Sequence, residues 1–148
     1  MNTHPYLRAF LAGIFVPALI LPLILAGFIV LRVILQVPVP IEQALVFPMA
    51  LVPVLWGLWN VLYLWSRSFT HLSVGLHGPL LPIIMAPVGA SVARCLGVLQ
   101  FGSHGAIWFL ACQVPYALIV LCFLAVLAIY YLLWKYVVGF VNQVLGIA

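Results

Sequence analysis

The sequence predicts an all-α integral membrane protein, a bundle of four transmembrane helices that are bent at prolines. Of its 148 residues, 68% are hydrophobic and 4% are charged, whereas soluble domains carry about 25% charged residues. The apolar residues form continuous runs rather than the alternating pattern of a membrane β-strand. Helices also satisfy their own backbone hydrogen bonds in lipid. Four such runs, separated by polar or Pro/Gly-containing segments, therefore predict four spans.

Each apolar run is long enough to cross, or nearly cross, a hydrocarbon core of about 30 Å. The first run has no polar side chain and lies between Arg8 and Arg32. It is longer than the apolar core of a signal peptide and lacks a convincing cleavage site, so we expect it to be a retained span. The fourth run is long enough that we expect it to tilt, to bend at Pro115 or to project from the bilayer. The predicted spans are 9–31, 44–65, 79–98 and 106–134.

Short polar segments connect the runs, and we expect one helical membrane domain over residues 1–148. The loop 66–78 carries His71 and His77, and the glycines of 100–105 indicate a turn. The tail after Trp134 is too short for a fifth span, so it either extends the last helix or lies at the interface. The main alternative has three spans, with 79–98 as a re-entrant segment.

The distribution of Lys and Arg predicts the orientation. With both termini in the cytoplasm, the flanking cations Arg8, Arg67 and Lys135 lie inside and Arg32 lies outside, which fits the positive-inside rule. Trp and Tyr residues crowd the ends of the second and fourth runs, as aromatic residues do at membrane interfaces. We therefore expect a protein of the bacterial inner membrane with cytoplasmic N- and C-termini.

Three of the runs share a proline pair with a spacing of five residues, at 17/22, 48/53 and 82/87. A proline inside a helix removes one backbone hydrogen bond and clashes with the preceding turn. The pattern predicts bent helices. Two interpretations of the bends stay open: they shape a cavity, as broken helices do in transporters, or they only adjust packing.

Arg94 is the charged residue inside the third run, six residues before Gln100, or about 9 Å along a helix. With four spans, the third helix ends on the outer side, where Arg32, Glu42 and His104 also lie. We expect an Arg94–Glu42 ion pair, because an intramembrane arginine usually finds a partner. Arg94, Glu42, Arg32 and His104 form a hypothetical outer-leaflet binding cluster. The open readings of Arg94 are a snorkelling or paired structural residue, an anion or lipid-headgroup contact with Arg32, and a transport or catalytic residue.

Small and amide side chains predict helix packing. Gly89, Ala93 and Gly97 follow one another at intervals of four residues, a ridge that lets another helix come close. Asn60 and Gln113 lie within apolar runs, where we expect interhelical hydrogen bonds.

Few residues are available for catalysis or for binding a metal. The chain has no Asp and one Glu, which excludes two-carboxylate glycosidase and aspartic protease mechanisms and metal-dependent phosphotransfer within one chain. We expect no metal and no cofactor, because His71 and His77 are too few to form a metal site. Cys95, Cys112 and Cys122 form no CxxC pair, and we expect them to be small buried residues.

These observations favour a non-enzymatic bundle that binds lipid or a membrane partner in an accessory or assembly role. The alternative is a small oligomeric transporter or channel for a small solute, and a lipid-modifying enzyme ranks third. The expected partners are membrane lipids and either a second copy of the chain or another membrane protein. Nucleic acid is not expected, because the cations form no cluster.

Overall fold

The computed structural model describes residues 4–36, 47–108 and 112–147, with the side chains of 47–49 left out of the description. These residues are 76% helical, and three of the helices are long and apolar enough to cross a membrane. The elements, in chain order, are α1 (Pro5–Val33), α2 (Phe47–Ser66), α3 (Val74–Cys95), β1 (Leu99–Phe101), β2 (Gly105–Trp108), β3 (Cys112–Pro115), α4 (Tyr116–Leu132), a π-helical segment (Leu133–Val138) and α5 (Gly139–Val144).

The described chain divides into two compact units. Unit 1 contains Met1–Val74 and Tyr136–Ala148, and unit 2 contains Gly75–Lys135. The paired helices α1 and α2 belong to the first unit, together with α5. The second unit contains α3, the three strands and α4.

Helices α1 and α2 form an antiparallel pair. Gly13 of α1 lies against the backbone of Gly57, where a Cβ on Gly13 would come within 2.9 Å of the Gly57 Cα. One helical turn earlier in α1, the Ala9 carbonyl meets Asn60, which follows Gly57 in α2. The contacts move towards the start of α1 as they move towards the end of α2, so the two helices are antiparallel. Small residues at the contact allow this close approach.

Helix α3 starts within the predicted loop, at Val74, and ends at Cys95. Its end is a Schellman motif, in which Gly97 has a φ of +72°. The N–H of Gly97 donates to the Arg94 carbonyl at 3.0 Å, and the N–H of Val98 donates to the Ala93 carbonyl at 2.9 Å. Glycine favours this left-handed position because it has no Cβ. The third apolar run thus lies largely within one continuous helix that is long and apolar enough to cross a membrane.

A three-stranded antiparallel sheet, in the order β1-β2-β3, stands where the sequence predicts the turn and the start of the fourth helix. Gln100 pairs with Ile107, and Ile107 in turn pairs with Gln113. The prediction of an all-α fold is wrong here, and Gln113 lies in an exposed strand rather than in an interhelical contact. A short apolar run does not distinguish a strand from a helix by periodicity.

The last helix begins after Pro115 and continues to Val144. The tail therefore extends the last helix, which is one of the two predicted possibilities. A second Schellman motif ends it, with Gly146 at a φ of +66° and the Ile147 N–H donating to the Asn142 carbonyl at 2.9 Å.

The helices continue through their interior prolines. Pro17 and Pro22 lie inside α1, Pro53 lies inside α2, and Pro82 and Pro87 lie inside α3. Bends at these positions stay a prediction, as does the bundle of four spans.

Candidate functional site

The residues of the predicted outer-leaflet cluster occupy separate elements. Arg94 is exposed in the last turn of α3 and His104 is exposed between β1 and β2, both in unit 2. Arg32 is exposed in the last turn of α1, in unit 1. Glu42 lies outside the described residues, so the Arg94–Glu42 pair stays a prediction.

The end of α3 gives Arg94 a local explanation. Arg94 lies in the last turn of α3, one residue before the helix ends at Cys95. A cation in the last helical turn also interacts favourably with the unsatisfied carbonyl groups of that turn.

The predicted packing ridge is not a continuous helical ridge. Gly97 lies beyond the end of α3, so its inclusion in a helical ridge is wrong. Gly89 is exposed, and a Cβ there would meet nothing within 4 Å. Ala93 is half-buried in the last turns of the helix. A packing role for Gly89 and Ala93 stays a prediction.

A buried amide pair joins α1, α2 and α5. The side chain of Asn60 is fully buried, and its Nδ2 donates to the Ala9 carbonyl at 2.7 Å and to Oδ1 of Asn142 at 2.8 Å. Nδ2 of Asn142 donates back to Oδ1 of Asn60 at 3.2 Å. The expectation of interhelical hydrogen bonding by Asn60 is confirmed. The bonds offset the cost of burying two amides, and they hold the C-terminal helix to the pair.

Two arginines bind the chain's last turns at one end of the α1–α2 pair, which we call the arginine end. Nη1 of Arg8 donates to the Leu145 carbonyl at 3.3 Å. Nη1 of Arg67 donates to the Ile147 carbonyl at 2.6 Å. Leu145 follows the last residue of α5, so its carbonyl is one of those that a helix end leaves without an intrahelical donor. The arginine end therefore satisfies a carbonyl directly after α5 and gathers positive charge.

A second buried cluster lies in unit 2, beside the π-helical segment. His77 and Trp134 are buried, with their ring centroids 6.1 Å apart. Gly78 makes the approach possible, because a Cβ there would come within 2.6 Å of the Trp134 Cβ. The prediction that His77 belongs to a polar loop is wrong, since α3 begins three residues before it. Such π-helical insertions are frequent at functional sites, and here the insertion carries Trp134 into the core.

Lys135 follows Trp134 in the π-helical segment. Its Nζ lies 5.4 Å from the centroid of the Tyr131 ring, within the distance at which a cation is attracted to an aromatic face. Gly75, one turn before Gly78, lies against this pair, with its Cβ position 3.0 Å from the Lys135 Cβ. The two glycines thus allow the first turns of α3 to lie close to the π-helical segment.

Within residues 4–36, 47–108 and 112–147, no three His, Cys, Asp or Glu side chains gather as a metal site requires. The three cysteines are reduced and exposed, so the expectation that they are buried is wrong. Comparisons with family models, with curated proteins and with solved structures find no match.

Sequence reasoning did not find the arginine end or the His77–Trp134 cluster. Arg8 and Arg67 flank two different spans, and the sequence uses them as orientation signals without bringing them together. Two successive spans joined by a short loop are antiparallel, so the start of the first lies beside the end of the second. This topology is a signal that could bring Arg8 and Arg67 together. For His77, the signal was the small-residue spacing of Gly75 and Gly78, which predicts close contact with another helix.

Proposed function

We propose that this protein is a non-catalytic accessory subunit of the bacterial inner membrane that binds a membrane-protein partner along α3. The proposal places its N- and C-termini in the cytoplasm. Membrane lipids surround the remaining helix faces. The alternative function, a small oligomeric transporter or channel, predicts a second copy of the chain at the same face.

The observation that carries the proposal is the exposed second half of α3. Val88, Gly89 and Val92 are exposed, and open space surrounds the Cβ position of Gly89. In lipid there is little hydrophobic gain when helices associate, so association depends on close van der Waals packing at small residues. Elsewhere in this chain the glycines at helix contacts are already covered, as at Gly13.

Gly89 is followed four residues later on the same helix face by Ala93, whereas Gly27 is followed at that spacing by Leu31. The small-residue spacing therefore supports a partner helix at Gly89.

The hydrogen bonds of four polar side chains support a role without catalysis. Asn60 and Asn142 bond to each other and to a backbone carbonyl. Arg8 and Arg67 donate to the carbonyls of the last turns. These side chains hold helices together, which is the structural role that we expect of them in a binding subunit.

A crosslinking experiment tests the partner. A photoreactive amino acid at Val92, in full-length protein in its native membrane, is expected to give one discrete product. Mass spectrometry is expected to identify a different membrane protein in that product. Gly89→Leu fills the space beside Val92 and is expected to reduce the product at least about tenfold, because shape complementarity at small residues drives the association.

Gly27→Leu is the matched control. Gly27 is also an exposed glycine on a spanning helix with open space at its Cβ position, so the Val92 product should be unchanged. A product that contains two copies of this chain would replace the accessory role with the oligomeric alternative. Lipid adducts alone, or a product that Gly89→Leu does not affect, would contradict a partner on this face.

A further inference from the structure

The three-stranded sheet has a different chemistry on each of its two faces. Successive side chains of a strand point to opposite faces, and residues paired across strands share a face. The register pairs Gln100 with Ile107 and Ile107 with Gln113, so both glutamines lie on one face. The opposite face carries the two rows Leu99–Trp108–Cys112 and Phe101–Ala106–Val114. We call this second face the apolar face, because it has no charged, hydroxyl or amide side chain.

The chain itself covers only part of the apolar face. Leu99 is 3% exposed and Ala106 is 1% exposed, so both side chains are packed within the protein. Phe101, in contrast, is 54% exposed, and Trp108 is half-buried. Covering an exposed aromatic ring is worth about 1.5–3 kcal/mol when the ring becomes fully buried. The two aromatic side chains therefore leave an apolar surface that an apolar environment would stabilise.

The sheet connects two helices that are long and apolar enough to cross a membrane, α3 and the last helix. Helix α3 ends at Cys95 and β1 begins at Leu99, so the first strand starts within about 14 Å of the end of α3. Strand β3 ends at Pro115, and α4 begins at the next residue, Tyr116. When both helices cross a bilayer, these short connections place the sheet at the bilayer surface.

A hydrogen bond fixes the sheet to the start of α4. The Tyr116 hydroxyl donates to the Gly102 carbonyl at 2.8 Å. The Gly102 N–H donates to the Gly105 carbonyl at 2.9 Å and closes the turn between β1 and β2. Tyrosine collects at the headgroup level of a bilayer, because its ring is amphipathic. The turn is thus held at the level where α4 begins and is not free to project into water.

The charge content of this segment indicates which part of a lipid it contacts. The sequence from Leu96 to Tyr116 contains no Lys, Arg, Asp or Glu, whereas a soluble segment of that length would carry about five charged residues. Without such charges the apolar face has little means of selecting an anionic headgroup. Tryptophan favours the boundary between the headgroups and the acyl chains, and this boundary suits Trp108 and Phe101.

We propose that the apolar face of the sheet inserts into the bilayer interface. Phe101 and Trp108 contact the acyl-chain carbons nearest the headgroups, and Gln100 and Gln113 face water. The inference rests on the proposed membrane location and is independent of the α3 partner. It assigns a lipid-binding surface to a segment that is neither a spanning helix nor a free loop.

Electron paramagnetic resonance of nitroxide labels tests the proposal by measuring depth in the bilayer. Full-length protein with Cys95→Ala, Cys112→Ala and Cys122→Ala is reconstituted in phosphatidylcholine vesicles. A single label is attached through Phe101→Cys in β1 or through Val114→Cys in β3. Collisions with oxygen, which partitions into lipid, are compared with collisions with a nickel chelate, which stays in water. Both labels are expected about 5–10 Å below the lipid phosphates, the depth to which apolar faces of interfacial elements insert.

The matched controls are Gln100→Cys and Gln113→Cys, each one residue from a test position and on the opposite face. Their labels are expected in water, where the nickel chelate reaches them. Leu124→Cys, at an exposed position of α4, reports whether that helix lies in the bilayer. Its label is expected to be deeper than those on the sheet.

Three results would overturn the interfacial sheet. The first is equal access of the nickel chelate to the labels on the two faces. The second is equal depth in lipid on both faces. The third is protection of positions 101 and 114 from both reagents, which would show that protein covers the apolar face.

The label at position 124 separates this inference from the proposed function. Lipid contact at 124 with water at 101 and 114 would remove the interfacial sheet and leave the membrane location standing. Water at all three positions would contradict the membrane location itself.

Discussion

At the scale of single residues, several polar side chains of unit 1 donate hydrogen bonds to backbone carbonyl groups. Asn60 donates to Ala9, Arg8 donates to Leu145 and Arg67 donates to Ile147. In a membrane protein an unsatisfied carbonyl costs several kcal/mol in the hydrocarbon region, so the polar side chains and the helix ends satisfy each other.

The amide pair gives a stability prediction. Asn60→Ala removes the donor to Ala9 and leaves the Asn142 amide buried without its partner. We expect a loss of about 1–2 kcal/mol in the free energy of unfolding. Unfolding in mixed micelles with increasing sodium dodecyl sulfate, followed by circular dichroism, measures it. Asn142→Ala and the double variant complete a cycle, with an expected coupling of about 0.5–1.5 kcal/mol.

Gln143→Ala is the control for this cycle. Gln143 carries the same amide group one residue after Asn142 and is exposed, so its truncation should cost less than about 0.5 kcal/mol. Additive effects of Asn60→Ala and Asn142→Ala would contradict a direct bond between the two amides.

At the residue scale, the sequence predicts some side-chain contacts and not others. Interhelical bonding by Asn60 followed from a polar residue in an apolar run, and the structure confirms it. The partner Asn142 did not follow, since pairing across 82 positions depends on tertiary structure. The sequence places Arg94 inside the predicted third span, about 9 Å before Gln100, because the apolar run continues to residue 98. The helix ends at Cys95, and Gly97, which terminates it, is predicted as a packing residue instead.

At the scale of elements, close packing of α1 and α2 depends on glycine. A Cβ at Gly13 would lie 2.9 Å from the Gly57 Cα, and a backbone atom has no rotamer with which to move away. In contrast, a Cβ at Gly27, in the same helix, would meet nothing within 4 Å. Replacing glycine by alanine in α1 is therefore expected to destabilise the protein at position 13 and not at position 27.

Gly13→Ala is expected to lower the free energy of unfolding by about 1–3 kcal/mol, because the helices must separate to admit the methyl group. Gly27→Ala is expected to leave stability unchanged or to raise it by up to about 1 kcal/mol, since alanine is the better helix former. Thermal unfolding of both variants in the same detergent measures the difference. Equal effects at the two positions would contradict the described α1–α2 contact.

Element boundaries were predictable where continuous apolar runs defined them and not where a turn changed the secondary structure. Helix α1 contains the predicted span 9–31 with a few more residues at each end. The run 106–134 is predicted as one helix, yet its first ten residues contain all of β3 and all of β2 except Gly105. Strand pairing such as Ala106 with Val114 is a non-local property that apolar composition does not encode.

At the scale of the whole molecule, composition alone predicted the environment of the chain. Three helices long and apolar enough to span a membrane agree with a chain in which 4% of residues are charged. Tertiary clusters do not follow from composition in the same way. The arginine end and the His77–Trp134 cluster form only when residues far apart in sequence meet, so a list of motifs does not contain them.

The proposed function depends on whether α2 and α3 each cross the membrane. The direct measurement uses protein whose native cysteines at 95, 112 and 122 are replaced. Single cysteines are introduced at Gln36, Ser68 and Ser103, all exposed in the structure. An impermeant thiol reagent, applied to intact cells and to inverted vesicles, reports the face of each position.

If both helices span, Gln36 and Ser103 label from outside the cell, and Ser68, beside Arg67, labels from the cytoplasm. The arginine end then faces the cytoplasmic leaflet and α3 crosses the bilayer with its Gly89 face available to a partner. If Gln36 and Ser103 label from opposite faces, either α2 or α3 does not cross. That result would contradict the four-span account on which the proposed function rests.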